Sequence, residues 1–343
     1  PCCSTPASCV TSAIHFLPVL QPDMVFKTAF SLASPAGREA RLSILIFHRV
    51  LAESDPLFPD EPDATRFDQI LKWATAWFNV LPLDEAARCL REGSLPARAA
   101  AITFDDGYAD NYTQALPILQ RHGVSATFFV ASGFLDGGRM WNDTVIEALR
   151  NTTLSVLDTG LDGLRELSLG DIDAKRHAMH RLLAAVKHMQ PDERLETVER
   201  IASHCAVTLP DDLMMSSAQL RALRAAGMII GAHTVSHPIL AVTSLEQARE
   251  EIESGKAHLE QLLGEPVRLF AYPNGKPGSD YRPVHVNMVR ELGFEAAVST
   301  HWGANTRDSD PYQLLRFTPW DRNKLRFGAR LLQNLRRPAI ISQ

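Results

Sequence analysis

The chain is predicted to fold as an α/β protein, a parallel sheet with helices outside it, either open or closed into a barrel. Three observations carry this. Short apolar, β-branched runs such as Leu42–Phe47 and Ala99–Phe104 recur along the sequence, as strands buried on both faces require. Helical segments separate them, with serine caps at Ser216 and Ser244 and glycine stops at Gly123, Gly227 and Gly264. The polar residues His48, Asp105, Asp106, His233, Asn274 and His301 all follow strands, where α/β folds gather their active sites.

The elements follow in order. Leu42–Phe47 reads as the first strand and ends at His48. Residues 67–77 carry Phe67, Ile70, Leu71, Trp73, Ala74 and Trp77 at helical spacing; residues 78–83 read as strand, and Asp84 opens another helix. After the strand Ala99–Phe104 come Asp105, Asp106 and Gly107, a helix over 115–121 and a strand over 125–131. Ser216 with Gln219 begins a helix that stops at Gly227, and the strand 228–232 delivers His233. Ser244 with Gln247 caps a long helix whose Leu245, Ala248, Ile252, Leu259, Leu262 and Leu263 share a face. A strand at 267–272, a helix at 286–292 and strands at 295–300 and 314–318 complete the series.

Residues 140–215 break this rhythm with a charged helical stretch, read as an inserted subdomain. It forms either ordinary outer helices or a lid and wall for substrate that uses Trp141. The 343 residues suffice for one sizeable catalytic domain with insertions, and a net charge of −5 without Lys/Arg-rich runs provides no footprint for nucleic acid. Five cysteines, three of them near the N-terminus, form no disulfide framework or zinc spacing. With no signal peptide or membrane span in view, the expected location is cytoplasmic or peripheral to the inner face of the membrane. Residues 1–40 read as a leader, 41–320 as the catalytic domain and 321–343 as a basic amphipathic tail. That tail either rests on an anionic membrane or packs on the domain with its charges solvated. Oligomeric state is left open.

Adjacent carboxylates at Asp105 and Asp106 repel unless a cation intervenes, so one on a metal and its neighbour as a base is a natural division of labour. His233 and His237 stand four apart after another strand. Two imidazoles, one carboxylate and an open position make a usual catalytic zinc set that also suits cobalt or another divalent ion. In Phe270-Ala-Tyr-Pro-Asn-Gly275, Pro273 and Gly275 fix a turn able to aim backbone N–H groups at an oxyanion.

Taken together and in this order, Thr103-Phe-Asp-Asp-Gly107, His233-Thr-Val-Ser-His-Pro238 and the turn at 270–275 resemble the polysaccharide deacetylases of the NodB-homology type. The resemblance covers residues 42–318 and is closest to the branch associated with exopolysaccharide and adhesin biosynthesis. It implies a distorted (β/α) barrel with the inserted helical segment, and metal-dependent removal of N-acetyl groups from the hexosamines of a glycan. Asp106, His233 and His237 would hold the metal, with Asp105 as base and the Asn274 N–H on the oxyanion. Tyr272, Pro273, Trp141 and Arg316 are the expected substrate contacts.

Two departures stand out. Ala271 occupies a place where many members carry an Arg that orients the catalytic Asp, leaving Arg268 or Arg316 for that task. Residues 314–319 contain no histidine where the family's last motif presents a general acid. His48 is therefore a candidate acid or substrate contact, with a hydrogen-bonded rim histidine as its plain alternative; His301 is weaker. The rival activities are hydrolysis of a small non-sugar amide and glycan binding without turnover.

Overall fold

The computed structural model describes residues 22–337. Ten strands and eleven α-helices are present among them: α1 (Pro22–Ala33), β1 (Leu42–Phe47), α2 (Ala64–Trp77), β2 (Asn79–Val80), α3 (Leu83–Glu92), β3 (Ala99–Phe104), α4 (Leu116–His122), β4 (Thr127–Val130), α5 (Trp141–Asn151), β5 (Val156–Asp158), β6 (Glu166–Ser168), α6 (Ile172–Val186), α7 (Pro191–Cys205), α8 (Ser217–Ala225), β7 (Ile229–Ala232), α9 (Leu245–Leu263), β8 (Leu269–Ala271), α10 (Pro283–Glu291), β9 (Ala296–Trp302), β10 (Leu314–Arg316) and α11 (Lys324–Leu335). The strands run parallel in the order β1-β3-β4-β7-β8-β9-β10, with β2 paired to the start of β3. Phe317 closes the ring on β1: its N–H donates to the Ile44 carbonyl at 2.8 Å, and its carbonyl accepts from Ile46 N–H at 3.1 Å. The result is a nearly closed (β/α) barrel.

Side-chain alternation along these strands decides what reaches the barrel mouth. Leu42 and Ile44 of β1, Ala99 and Ala101 of β3, Leu269 and Ala271 of β8, Val298 of β9 and Leu314 of β10 belong to one inner cluster, which α3 closes at the far end. Their opposite-parity neighbours, among them Leu45, Phe47, Ala100, Ile102, Phe104 and Phe270, pack outward against the helices. The same inner parity, along β9 and β10 and past the ends of β1, β3 and β7, delivers Thr300, Arg316, His48, Asp105 and His233 to one end of the barrel.

Both Ser caps form full capping boxes, Ser216 with Gln219 and Ser244 with Gln247. Along α9 the buried face is Ala248, Ile252, Gly255 and Leu259, whereas Leu245 is exposed. Strand 78–83 shrinks to two residues because Pro82 starts the next helix.

Residues 22–33, expected within a leader, form a helix docked on the body. Phe30 is wholly buried and its ring lies 5.8 Å from Trp77 and 4.6 Å from Phe78, a burial worth about 1.5–3 kcal/mol. The rest of that expected leader, 1–21, lies outside the described residues. The tail helix α11 packs the same way. Phe327, Leu331 and Leu335 are buried against the protein, and Arg330 pairs with Asp321 at 2.6 Å. No helix among the described residues is long and apolar enough to cross a membrane.

The insertion is helical as expected but also holds the hairpin β5-β6, whose three-residue strands are too short to show periodicity. It has its own core around Leu149, Leu157, Met179, Leu182 and Ile201. Arg150 ties it to the loop after β1 through Asp55 at 2.7 Å.

Candidate metal centre

Asp106, His233 and His237 meet at the C-terminal mouth of the barrel, their donor atoms all within 4.8 Å of one another. Asp106 Oδ1 lies 3.4 Å from Nε2 of each histidine. His233 is directed by its other nitrogen: Nδ1 sits 2.7 Å from the Ala271 carbonyl on the neighbouring strand, which fixes the ring and leaves Nε2 facing Asp106. Burial alone would lower the His233 pKa, but hydrogen bonding to Asp106 prevails and raises it. Burial wins at His237, which falls to about 4. Asp106 lies well below the carboxylate range, because the imidazoles outweigh its burial. One buried carboxylate facing one neutral and one proton-attracting imidazole is a donor set that a divalent cation fits, the cation standing where the proton would be.

The loops carrying these ligands are strained. Asp106, Thr234, His237 and Asn274 adopt φ of 77°, 66°, 55° and 58°, left-handed values that cost non-glycine residues about 1–3 kcal/mol each. The surroundings compel them. Glu251 of α9 accepts from the N–H groups of Val235 and Ser236 at 2.9 and 2.8 Å and from the Ser236 hydroxyl at 2.7 Å, clamping the histidine loop. Nothing in the local pattern marks Glu251, since it reads as one more charge on a solvated helix.

Gly255, one turn further along α9, lets the helix approach: a Cβ there would stand 2.7 Å from the Thr234 carbonyl carbon. Gly255→Ala should therefore weaken zinc binding at least tenfold by calorimetry, although alanine favours a helix interior by about 1 kcal/mol. Unchanged affinity would show the contact to be slack.

Asp105 points into the barrel and is gripped by Arg316, whose Nη1 and Nη2 reach its two oxygens at 2.7 and 2.6 Å. Burial alone would raise this carboxyl; the guanidinium outweighs it and holds the pKa below the ordinary value. Arg316 also donates to the Ser299 carbonyl at 2.7 Å and is wholly buried. It grips Asp105, as expected of one of the two candidates for orienting that residue. Arg268 is instead a surface partner of Glu295. Tyr272, with the outward parity of Phe270, stacks on Tyr281 at 3.9 Å and donates to the Tyr312 carbonyl. Pro273 is buried in its turn, where its carbonyl accepts from Gly275 N–H.

A cavity of about 330 Å³ opens over the cluster, lined by His48, Trp141, Lys187, Asn274 and Thr300 among others. Thr300 holds the Asn274 loop through the Asn274 carbonyl at 2.7 Å, while the Asn274 N–H has no partner among the described residues. The insertion thus walls the cleft, with the Arg194 guanidinium 4.8 Å over one face of Trp141. His301 lies outside this cavity, in the adjoining groove.

Behind His48, Asp143 of α5 is buried and accepts from the Tyr108 hydroxyl at 3.0 Å. Burial pushes its pKa up to about 7, so the native state favours the protonated form and loses stability as pH rises from the unfolded value near 4 through 7. Asp143→Asn should raise the melting temperature at pH 8 by a few degrees and leave it unchanged near pH 4. An equal effect at both pH values would contradict this.

The polysaccharide deacetylase family model matches residues 92–297, more than half the chain. His48 and Arg316 lie outside that segment. The Bacillus subtilis (strain 168) protein YxkH, provisionally described as a polysaccharide deacetylase, is 22% identical over 281 residues, covering 81% of this chain and 71% of that protein. The Streptococcus pyogenes deacetylase PplD in complex with acetate is similar in fold, with a TM-score of 0.58, 19% identity and coverage of 87% of this chain and 99% of that one. IcaB from Ammonifex degensii gives 0.56 at 20% identity, covering 88% and 98%.

Proposed function

This chain belongs to the polysaccharide deacetylase family, and from that premise we propose that it is a divalent-metal-dependent hydrolase removing acetyl groups from N-acetylhexosamine units of a glycan. The observation that carries the reading is the pairing of two buried constellations at one barrel mouth: the Asp106, His233 and His237 donors, and Asp105 locked in its ionised form by Arg316. Asp106 and the two histidines would hold the cation, most simply zinc or cobalt, which when bound supplies Lewis acidity toward a carbonyl and an attacking water.

The chain's own residues do the rest. Asp105 is the proton acceptor: each oxygen has two lone pairs, and Arg316 uses one on each, leaving room for a proton from water. The left-handed turn at Asn274 presents its N–H to the negative charge that develops on the acetamide oxygen. Trp141 and Lys187 of the insertion wall the cleft against bulk solvent. His48 faces the same cleft and is the candidate donor to the departing amine.

The test is acetate release from a tetramer of N-acetylglucosamine by protein stripped with chelator and reloaded with zinc or cobalt. Turnover that returns with metal supports the reading. Turnover of small amides alone favours the non-sugar rival, and binding without acetate favours a glycan-binding protein.

His48→Ala should lower kcat about a hundredfold, a usual size for a lost proton donor, with bound metal unchanged. Wild-type kcat in that variant would remove His48 from the mechanism.

A further inference from the structure

The catalytic cavity does not end at the metal cluster. It continues past Asn274, Thr300 and Lys187, which line both spaces, into a groove of about 360 Å³ bounded by Lys276, Asp280, His301, Trp302 and Arg337. Three permanent cations border this groove against one carboxylate. That carboxylate is committed elsewhere: Asp280 is buried and accepts from the Lys276 N–H at 3.0 Å and the Ser279 hydroxyl at 3.4 Å. Lys187, Lys276 and Arg337 make no ion pair with any carboxylate among the described residues. Arg337 is held at the groove by Trp302, its guanidinium 5.6 Å from the ring centroid.

The opposite end of the cleft offers no free cations among the described residues. Beyond His48, a second space of about 220 Å³ is lined by Asp55, Glu61 and Asp143 with Arg49; Arg49 is paired to Asp110 and Asp55 to Arg150, each at 2.7 Å, and burial pushes the pKa of Glu61 and Asp143 up. A chain lying across the metal cluster therefore meets unpaired cations on one side only.

We propose that the groove of Lys187, Lys276 and Arg337 is a subsite for an anionic substituent of the glycan, a carboxylate or a phosphate carried by a sugar adjacent to the one losing its acetyl group. The proposal rests on the deacetylase reading, because it takes the cluster as the reacting centre. Like-signed cations with no carboxylate partner among the described residues gain from a shared anion, and the opposite end has no such cations to offer. The charge asymmetry thus sets the direction in which a glycan lies in the cleft.

The experiment compares three tetrasaccharide probes on the full chain: neutral N-acetylglucosamine tetramer, the same tetramer with a 1-phosphate, and alternating glucuronate and N-acetylglucosamine. Binding is measured by calorimetry and turnover by acetate release, each at low and at 0.15 M salt. At least one anionic probe is expected to bind about tenfold more tightly than the neutral one at low salt. The preference should shrink as the screening length falls to about 8 Å. Which anionic probe wins identifies carboxylate or phosphate.

Lys187→Glu with Lys276→Glu should abolish or invert the ratio between anionic and neutral probes while the melting temperature stays put. An equal ratio in wild type and double variant, or no preference for either anion, overturns the subsite. Because binding is read without turnover, tight anion-dependent binding with no acetate would leave the subsite standing and count against the deacetylase reading alone.

Discussion

Asp106→Ala is expected to abolish metal binding and turnover together. Asp106 is the one carboxylate in the donor cluster, 3.4 Å from each imidazole, and no neighbouring side chain replaces it: Asp105 is held in place by the two-pronged grip of Arg316. Two imidazoles alone hold a cation weakly, and the Lewis acidity lost with it has no substitute among the residues of the cleft. The loss in kcat/KM should be on the order of a thousandfold or more, the upper part of what a single polar catalytic element provides. Stability separates a site defect from misfolding. Zinc at a hundred times its Kd should stabilise the wild-type chain by about 2.7 kcal/mol, seen as a raised melting temperature, and leave the variant unmoved. Without metal the variant should melt somewhat lower than wild type, since the depressed pKa of Asp106 means that its ionised form stabilises the metal-free fold at neutral pH. Retained zinc stabilisation with lost activity would move Asp106 from ligand to another role.

Arg316→Met should be the most damaging change that touches neither metal nor substrate. It leaves the Asp105 carboxylate buried and unpaired, and breaking a buried pair from one side costs about 3–5 kcal/mol. Activity should fall by about two orders of magnitude as Asp105 loses both its orientation and the charge that keeps it ionised. Lysine should not rescue, because one ammonium cannot grip both oxygens as the planar guanidinium does. Pairing Arg316→Met with Asp105→Asn should restore most of the stability and none of the activity. If the double variant is as unstable as the sum of the two singles, Arg316 serves the barrel core rather than Asp105.

Only part of the site is legible in the sequence. Asp105, Asp106, His233 and His237 occur in short local patterns directly after apolar strands, so residue type and position alone suggest their chemistry. Arg316 lies 211 positions from Asp105, and its sequence neighbourhood does not say which carboxylate it will meet. It reads both as a substrate contact and, with Arg268, as a candidate to orient Asp105. The parity of Leu314, an inner-cluster residue two positions earlier, was the available signal. Tyr272 shows the opposite case: it keeps the outward parity of Phe270, and the turn at Pro273 begins too late to reverse it.

Fold class and most strand positions were equally legible, because alternation and caps are local. What was lost depends on distant partners. The helix Pro22–Ala33 looks like a leader until Trp77 is brought beside Phe30, and of the two readings of the tail helix the packed one needs Trp73 and Trp77 beside Phe327. Glu251 and Gly255 belong to the same class, since their meaning lies in the strained histidine loop across from α9.

The central claim is that Asp106, His233 and His237 form a metal centre. Anomalous diffraction from crystals grown with one equivalent of cobalt, collected on both sides of the cobalt edge, tests it most directly. The account predicts one strong difference peak about 2.0–2.2 Å from an Asp106 oxygen and from Nε2 of both histidines. A peak elsewhere, or none at full cobalt occupancy in solution with Asp106 hydrogen-bonded to a protonated His233, would contradict it.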